Sequence, residues 1–291
     1  MTVNWGLVQL GVFLSLFAGL LVIERIWPRR AMSIERVTRW SANMGFIIVN
    51  TGTGVVVRLL VPTLMAVEAV YVQGHGLLPA LGVNVWIAGI ISVAALDLSL
   101  YVLHVATHRI PLFWRFHRVH HVDLEVDATT ALRAHPAEFV ASLMCKGAVI
   151  FVLGAPVMAV LAYEIILNFF AMFTHSNIRL GDETDLALRR VIVTPDMHRI
   201  HHSTIQTETD SNYGVVTPLW DRLFGTYTKA PRDPQTTMKL GLDEVRGLEA
   251  ANLFWLMAYP FMGQRSVAPE VPSVNASTTR SSVTTSLRTP A

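Results

Sequence analysis

The sequence predicts an all-α, polytopic membrane bundle carrying a histidine-rich helical cap, and three observations predict it. The 291 residues are 52% hydrophobic and only 15% charged, where soluble domains average about 25% charged. Long apolar runs recur along the first two thirds of the chain. Ten of the eleven histidines fall between His104 and His202. A bilayer selects for low charge, because each charge at a helix centre costs about 2.5–3.5 kcal/mol on insertion scales. The formal net charge of +2, with basic residues beside apolar spans and not in a stripe, excludes nucleic acid as a partner. The single cysteine, Cys145, excludes a disulfide framework and a cysteine-held iron–sulfur cluster, and reads as a packed apolar residue.

Gly6 to Ile23, bracketed by Trp5 and Trp27, is long enough to cross a bilayer as a helix. No basic residue precedes it and no small-x-small site follows, so it does not read as a cleaved signal. Gly45 to Val70 is a second run, broken by Arg58 and Pro62, and Val85 to Val105 is a third. Phe139 to Phe173 carries Gly154-Ala155-Pro156 near its middle. Proline there breaks one straight helix, so the segment reads as a helical hairpin that enters and leaves on the same side. Arg25, Arg29, Arg30, Arg36 and Arg39 follow the first span, and Arg109, Arg115 and Arg118 follow the third. The loop Tyr71 to Asn84 has no Lys or Arg. The positive-inside rule places the N-terminus outside and all ten clustered histidines on the cytosolic side. His75 falls on the opposite side. Leu248 to Phe261 reads as an interfacial helix, or as a packed terminal one. From Gln264 the Ser, Thr and Pro content reads as a disordered tail. The division that follows is 1–83 for the first spans and basic connector, 84–230 for the catalytic part, 231–263 for the interfacial or packing helix, and 264–291 for the tail.

His104 and His108 are four residues apart and share a helix face at the end of the third span. His117, His120 and His121 repeat the spacing of His198, His201 and His202. Positions i, i+3 and i+4 fall within about 100° at 3.6 residues per turn, so three imidazoles from each cluster converge if the segments are helical. One such pair is ordinarily a solvated helix face. Three clusters in a chain poor in polar residues mark a metal site. Catalytic zinc takes about three protein ligands and structural zinc four. Eight clustered histidines, with His135 and His175 as further candidates, suffice for two metals with open positions. Imidazole suits iron, zinc, copper and nickel alike, so ligand type does not choose among them.

Hx₃H followed by two Hx₂HH boxes, on one side of a few spans, resembles the fatty acid hydroxylase/sterol desaturase superfamily. The likeness runs from Asp97 to Tyr227. It includes Asp97-x₃-Tyr101-x₂-His104, Trp114 to His121, Thr129 to Pro136, His175-Ser-Asn177, Thr194 to His202, Asn212-Tyr-Gly214 and Trp220 to Tyr227. The resemblance implies a di-iron site that uses O₂ and external electrons to hydroxylate or desaturate a lipid. It implies as ligands His104, His108, His117, His120, His121, His198, His201 and His202. His175 is a further one and His135 the remaining candidate. Attack on an unactivated C–H bond needs a redox metal, which zinc is not. Asp97 is the candidate carboxylate that orients an imidazole through its second nitrogen, unless it serves a helix–helix hydrogen bond. Glu138 either supports a ligand or is a charge at a helix N-terminus. Asp196 either caps its helix or serves the metal, and Asn168, one helical stripe from His175, either polarises it or packs. Glu164 inside the apolar hairpin has no partner that the sequence identifies.

Hydroxylation is favoured over desaturation because this version of the boxes resembles the bacterial hydroxylase-like branch. The substrate classes are an acyl chain, a sterol or hopanoid, an alkylglycerol or a carotenoid ring. The chain shows no Cys-rich or flavin-binding segment, so a separate ferredoxin-like or cytochrome-like donor is expected, in a bacterial inner membrane or an ER-type membrane. A membrane zinc hydrolase accounts less well for so many ligands without a His-Glu-x-x-His. A metal transporter would spread its ligands through the mid-membrane.

Overall fold

A computed structural model describes residues 5–60 and 74–263, and all regular structure in them is helical, apart from isolated bridges. The Pro62 break and the tail from Gln264 lie outside the described residues. The chain forms α1 (Trp5–Ile26), α2 (Arg36–Leu60), the short α3 (Leu77–Ala80), α4 (Val85–Arg109) and α5 (Pro111–His121). A 3₁₀ turn (Ala128–Leu132) precedes α6 (Pro136–Leu153) and α7 (Val157–His175). Then come α8 (Asp182–Leu188), α9 (Pro195–His201), α10 (Gln206–Thr209), α11 (Leu219–Leu223) and α12 (Leu253–Ala258).

Four of these are long and apolar enough to cross a membrane: Gly6–Ile26, Val85–Arg109, Pro136–Leu153 and Val157–His175. They bury little of themselves inside the protein, as expected of helices whose solvent is lipid. The expected hairpin is present as α6 and α7. Gly154 ends α6 at φ +64, a left-handed conformation that costs glycine nothing. A Cβ there would also collide with the carbonyl oxygen of His75. His75 therefore packs at the hairpin tip. The hairpin's other ends carry His135 before α6 and His175 at the end of α7. His75 and the ten clustered histidines thus lie at opposite ends of the bundle.

The second apolar run, Gly45 to Val70, lies partly outside the described residues. Its helix starts at Arg36, nine residues before that run. Its first turns belong to the cap: Arg39, Ala42, Asn43 and Phe46 are all buried. Arg39 donates to both carboxylate oxygens of Asp123 (2.9 and 2.8 Å) and to Asp127 (2.8 Å). Counted by sequence among the charges that set the orientation, Arg39 is a buried ion-pair partner. Arg118 is buried too, donating to the carbonyls of Tyr259 and Met262 with its guanidinium over the Tyr259 ring. Arg25, Arg109 and Arg115 remain exposed, at the histidine end.

The C-terminal segment takes the packed alternative on one face and leaves the other open. Leu256 and Tyr259 enter a core with Phe46, Val119 and Val122, while Phe254 and Phe261 stay exposed.

Candidate metal centre

Helix α4 stops at Arg109 because Pro111 disfavours helical backbone at the residue before it, and Ile110 is extended (φ −98, ψ 115). The chain turns there, and α5 folds back so that its histidines face those of α4. Helix α9 brings the third box: Thr194 caps it by accepting from the Met197 N–H, and Pro195 occupies its first turn.

Nine histidines form two groups, each with its ligand nitrogens within 4.8 Å of one another. One group is His104, His108, His117, His121 and His201, and the other is His120, His175, His198 and His202. The two triplets do not each converge on one point, as their spacing suggested. Each splits. His117 and His121 enter the first group and His120 the second; His198 and His202 enter the second and His201 the first. The helical angle explains it: i and i+4 stand about 40° apart, while i+3 lies about 100° from i+4. Each triplet therefore belongs to both groups and locks them side by side, with His121 stacked on His202 at 4.7 Å between ring centroids.

The hydrogen bonds fix which nitrogens are bare. His104 Nδ1 lies 2.7 Å from the Tyr213 carbonyl, and His117 Nδ1 lies 2.7 Å from Glu138 Oε1. Both partners only accept, so both Nδ1 atoms carry the proton and both Nε2 atoms are lone pairs. Those two lone pairs face each other at 3.1 Å. In the second group, His175 Nδ1 donates to the Ala171 carbonyl (2.6 Å) and His120 Nδ1 to the Arg133 carbonyl (3.3 Å). Their Nε2 atoms then meet at 2.9 Å. Burial lowers the imidazoles of His120, His121, His198 and His202 well below the ordinary range, and His201 falls to about 3. A proton between His120 and His175 is therefore not the remedy. His201 Nε2 and both nitrogens of His202 have no hydrogen-bond partner. Buried lone pairs pointed at one another and lacking a donor fit cations seated between them.

The loop after α10 supplies two of the supporting acceptors. Asn212 sits at φ +54, a conformation asparagine tolerates. Its side chain donates to the carbonyls of Met197 and Thr228. That twist lets Ser211 accept from His201 Nδ1 (2.8 Å) while Tyr213 accepts from His104. Asp221 holds the turn by accepting from the Tyr213 and Gly214 N–H groups (2.8 and 2.9 Å). Sequence reading missed these carbonyls, because backbone acceptors have no residue signature; the unusual Asn212-Tyr-Gly214 turn was the available signal.

Four candidate residues neither join nor support the two groups. Asp97 takes its helix–helix alternative, accepting from Trp220 Nε1 (2.7 Å) of α11. With Tyr101, whose hydroxyl meets Thr226 at 2.8 Å, it ties α4 to the α11 region. It sits almost two turns from His104, whose Nδ1 already donates to the Tyr213 carbonyl. His135 stands outside both groups: its Nδ1 accepts from the Ala137 N–H at the start of α6, and its ring lies against Phe116. Asp196 pairs with Arg29 (2.8 Å) and Arg199, leaving the capping to Thr194. Asn168 donates to the Glu164 carbonyl and does not reach His175.

Glu138 touches one candidate ligand ring, His117, at 2.7 Å, and Asp210 lies 3.4 Å from another, His108. Glu138→Ala is expected to weaken metal affinity about 10–100-fold, read by chelator competition, with partial rescue by Glu138→Gln. Asp97→Ala should leave that affinity near wild type while lowering the melting temperature. Equal losses of affinity in both variants would reverse the assignment.

A cavity of about 360 Å³ opens onto both groups, reaching His104, His117, His120, His175 and His198. Its walls are largely apolar, from Leu100 and Leu103 of α4, Phe139 and Leu143 of α6, and Leu167 of α7.

Residues 89–226 match the family model described as fatty acid hydroxylase. Among curated proteins, the chain is similar to the ornithine lipid hydroxylase OlsE of Rhizobium tropici, 28% identical over 178 residues, or 60% of this chain and 51% of that protein. It is also similar to the alkylglycerol monooxygenase of Danio rerio, 28% identical over 173 residues, covering 58% of this chain and 36% of that one. A third relative is the very-long-chain aldehyde decarbonylase GL1-1 of Oryza sativa subsp. indica, 29% identical over 167 residues, covering 55% and 26%. The chain thus spans about half or less of the length of these relatives. No solved structure matches it.

Proposed function

We propose that this chain, which belongs to the fatty acid hydroxylase/sterol desaturase superfamily, holds two iron ions in its paired histidine groups and hydroxylates a C–H bond of a membrane lipid. The observation that carries the reading is the pair of facing lone pairs, repeated in two adjacent groups beside an apolar cavity among spanning helices.

His104, His108, His117, His121 and His201 would hold one ion, and His120, His175, His198 and His202 the other. When bound, the irons supply the redox change that O₂ chemistry at a C–H bond requires and that zinc lacks. The protein's part is preorganisation. The Tyr213, Ser211, Arg133 and Ala171 carbonyls and Glu138 pin the Nδ1 protons, so the Nε2 lone pairs are aimed before any ligand arrives. The apolar wall admits a hydrocarbon chain and excludes water from the reacting carbon. Insertion of one oxygen atom, with the second leaving as water, consumes two electrons and two protons. A separate one-electron carrier, ferredoxin-like or cytochrome-like, would deliver the electrons. The exposed Arg25, Arg109 and Arg115 at the histidine end support a cytosolic site.

Hydroxylation is preferred to desaturation on the same site because two of the similar proteins are named as a hydroxylase and a monooxygenase. Metal analysis of protein purified in mild detergent from iron-replete cells tests the proposal. Two irons per chain, with O₂ uptake on adding reductant and a lipid extract, is the expected result. One zinc per chain and no uptake would reject it in favour of a hydrolase.

A further inference from the structure

The catalytic cavity has a charged pair in its wall, far from the histidines. Lys146 Nζ of α6 lies 2.7 Å from Glu164 Oε1 of α7, and both residues line the cavity. Lys146 follows Glu138 by eight residues, and Glu164 precedes His175 by eleven. At 1.5 Å per residue, the pair sits roughly 12–16 Å up the helices from the metal end, near the middle of a hydrocarbon core about 30 Å thick. Ionisable groups at that depth are expensive and are kept for a use.

A helix staple explains the pair poorly. Helices α6 and α7 each pack against α4 and scarcely against one another, so the two side chains reach across the space that the cavity occupies. The ammonium has three donors and spends one on Glu164. The second carboxylate oxygen of Glu164 remains an acceptor. Glu164 and Asn168 also line a groove of about 280 Å³ between α1 and α7, so the Glu164 end of the pair is reachable from the bilayer side.

We propose that Lys146 and Glu164 form a polar seat for an uncharged hydrogen-bonding group, such as a hydroxyl, on the chain of the substrate lipid. The seat thereby sets which carbon faces the histidines. A hydroxyl can donate to the carboxylate while accepting from the ammonium. The pair is already neutral in sum, so a charged group would leave an uncompensated charge in a low-dielectric wall. The proposal rests on the reading that this cavity holds the lipid substrate, and makes the pair a specificity-determining element of it.

The test is binding of two probes, octadecanoate and 12-hydroxyoctadecanoate, to the full chain in lipid nanodiscs, with metal content measured on the same samples. Wild type should favour the hydroxylated probe about tenfold, the scale of one hydrogen bond to a charged group. In the Lys146→Met/Glu164→Gln double variant that ratio should fall to about one while octadecanoate binds as before. Equal affinities in wild type overturn the seat without any variant, so misfolding of the double variant leaves the question decidable. An unchanged ratio in the variant, or parallel loss of both probes, also overturns it and returns the pair to a staple. Iron-loaded protein with no preference rejects the seat alone; a preference in protein that takes no iron rejects the metal reading alone.

Discussion

Replacing His120 with alanine is expected to cost the protein the metal of its second group and its O₂-dependent turnover, while His75→Ala leaves both at wild-type levels. The second group has four members, and His120 meets His175 across 2.9 Å at its centre. Removing it leaves three imidazoles and a gap on the side facing the first group. The loss should exceed the roughly 10–100-fold penalty of deleting an outer partner, because a ligand and not its support is gone. His75 packs at the hairpin tip, at the far end of the bundle. Metal analysis and O₂ uptake on both variants decide it. His108→Ala is the informative third variant, since its group of five keeps four members. Full turnover in His120→Ala would mean the second group is not part of the chemistry.

Spacing alone located eight of the nine grouped histidines, His175 standing beside them as a further candidate, and it did so because helical periodicity is local: residues four apart share a face wherever the helix ends up. The same logic found the hairpin, since proline and left-handed glycine act on their own backbone. What spacing does not encode is which distant group meets a given face. Asp97 stands on the His104 stripe with two roles open, and Trp220, 123 residues away, settles it in the helix–helix one. Glu138 has two roles open in the sequence, and the fold gives it both, in the first turn of α6 and against His117. The divided triplets show the same limit from another side. An angle of about 100° permits convergence and separation equally, and the positions of α4 and α7 choose separation. The Lys146–Glu164 pair needed the hairpin in three dimensions before either residue had a partner.

Charge counting reads basic residues without their partners. Arg25, Arg109 and Arg115 are exposed at the histidine end. Arg39 and Arg118 were counted with them and are structural. Hydropathy sees a charge and reads solvent. It does not see that two aspartates arrive from 84 and 88 residues downstream to bury Arg39.

That burial makes Arg39→Met the substitution with the largest expected effect on stability. Arg39 is 1% exposed and binds Asp123 through both carboxylate oxygens, Asp127 through a third bond, and the Glu125 carbonyl. Burial alone would raise the Asp123 carboxyl, but Arg133 and Arg39 outweigh it and hold it well below the ordinary carboxylate range. Deleting one partner of a buried pair costs about 3–5 kcal/mol, because the remaining charge is stranded. Against a total stability of about 5–15 kcal/mol that is a large fraction. Arg133 limits the damage to Asp123, standing 3.6 Å from it, but Asp127 loses its guanidinium. The effect also reaches the metal site, since Arg133, held to Asn43 at 2.8 Å, supplies the carbonyl that orients His120. Thermal denaturation in detergent should show a marked drop for Arg39→Met and a change within about 0.5 kcal/mol for the exposed Arg25→Met. The pH dependence has a defined sign. A depressed carboxyl contributes fully above its unfolded pKa of about 3.9 and loses that contribution as pH falls. The gap between wild type and Arg39→Met should therefore be widest near neutrality and narrow below about pH 4. A gap that stays constant across that range would mean the arginine acts by packing and not by charge.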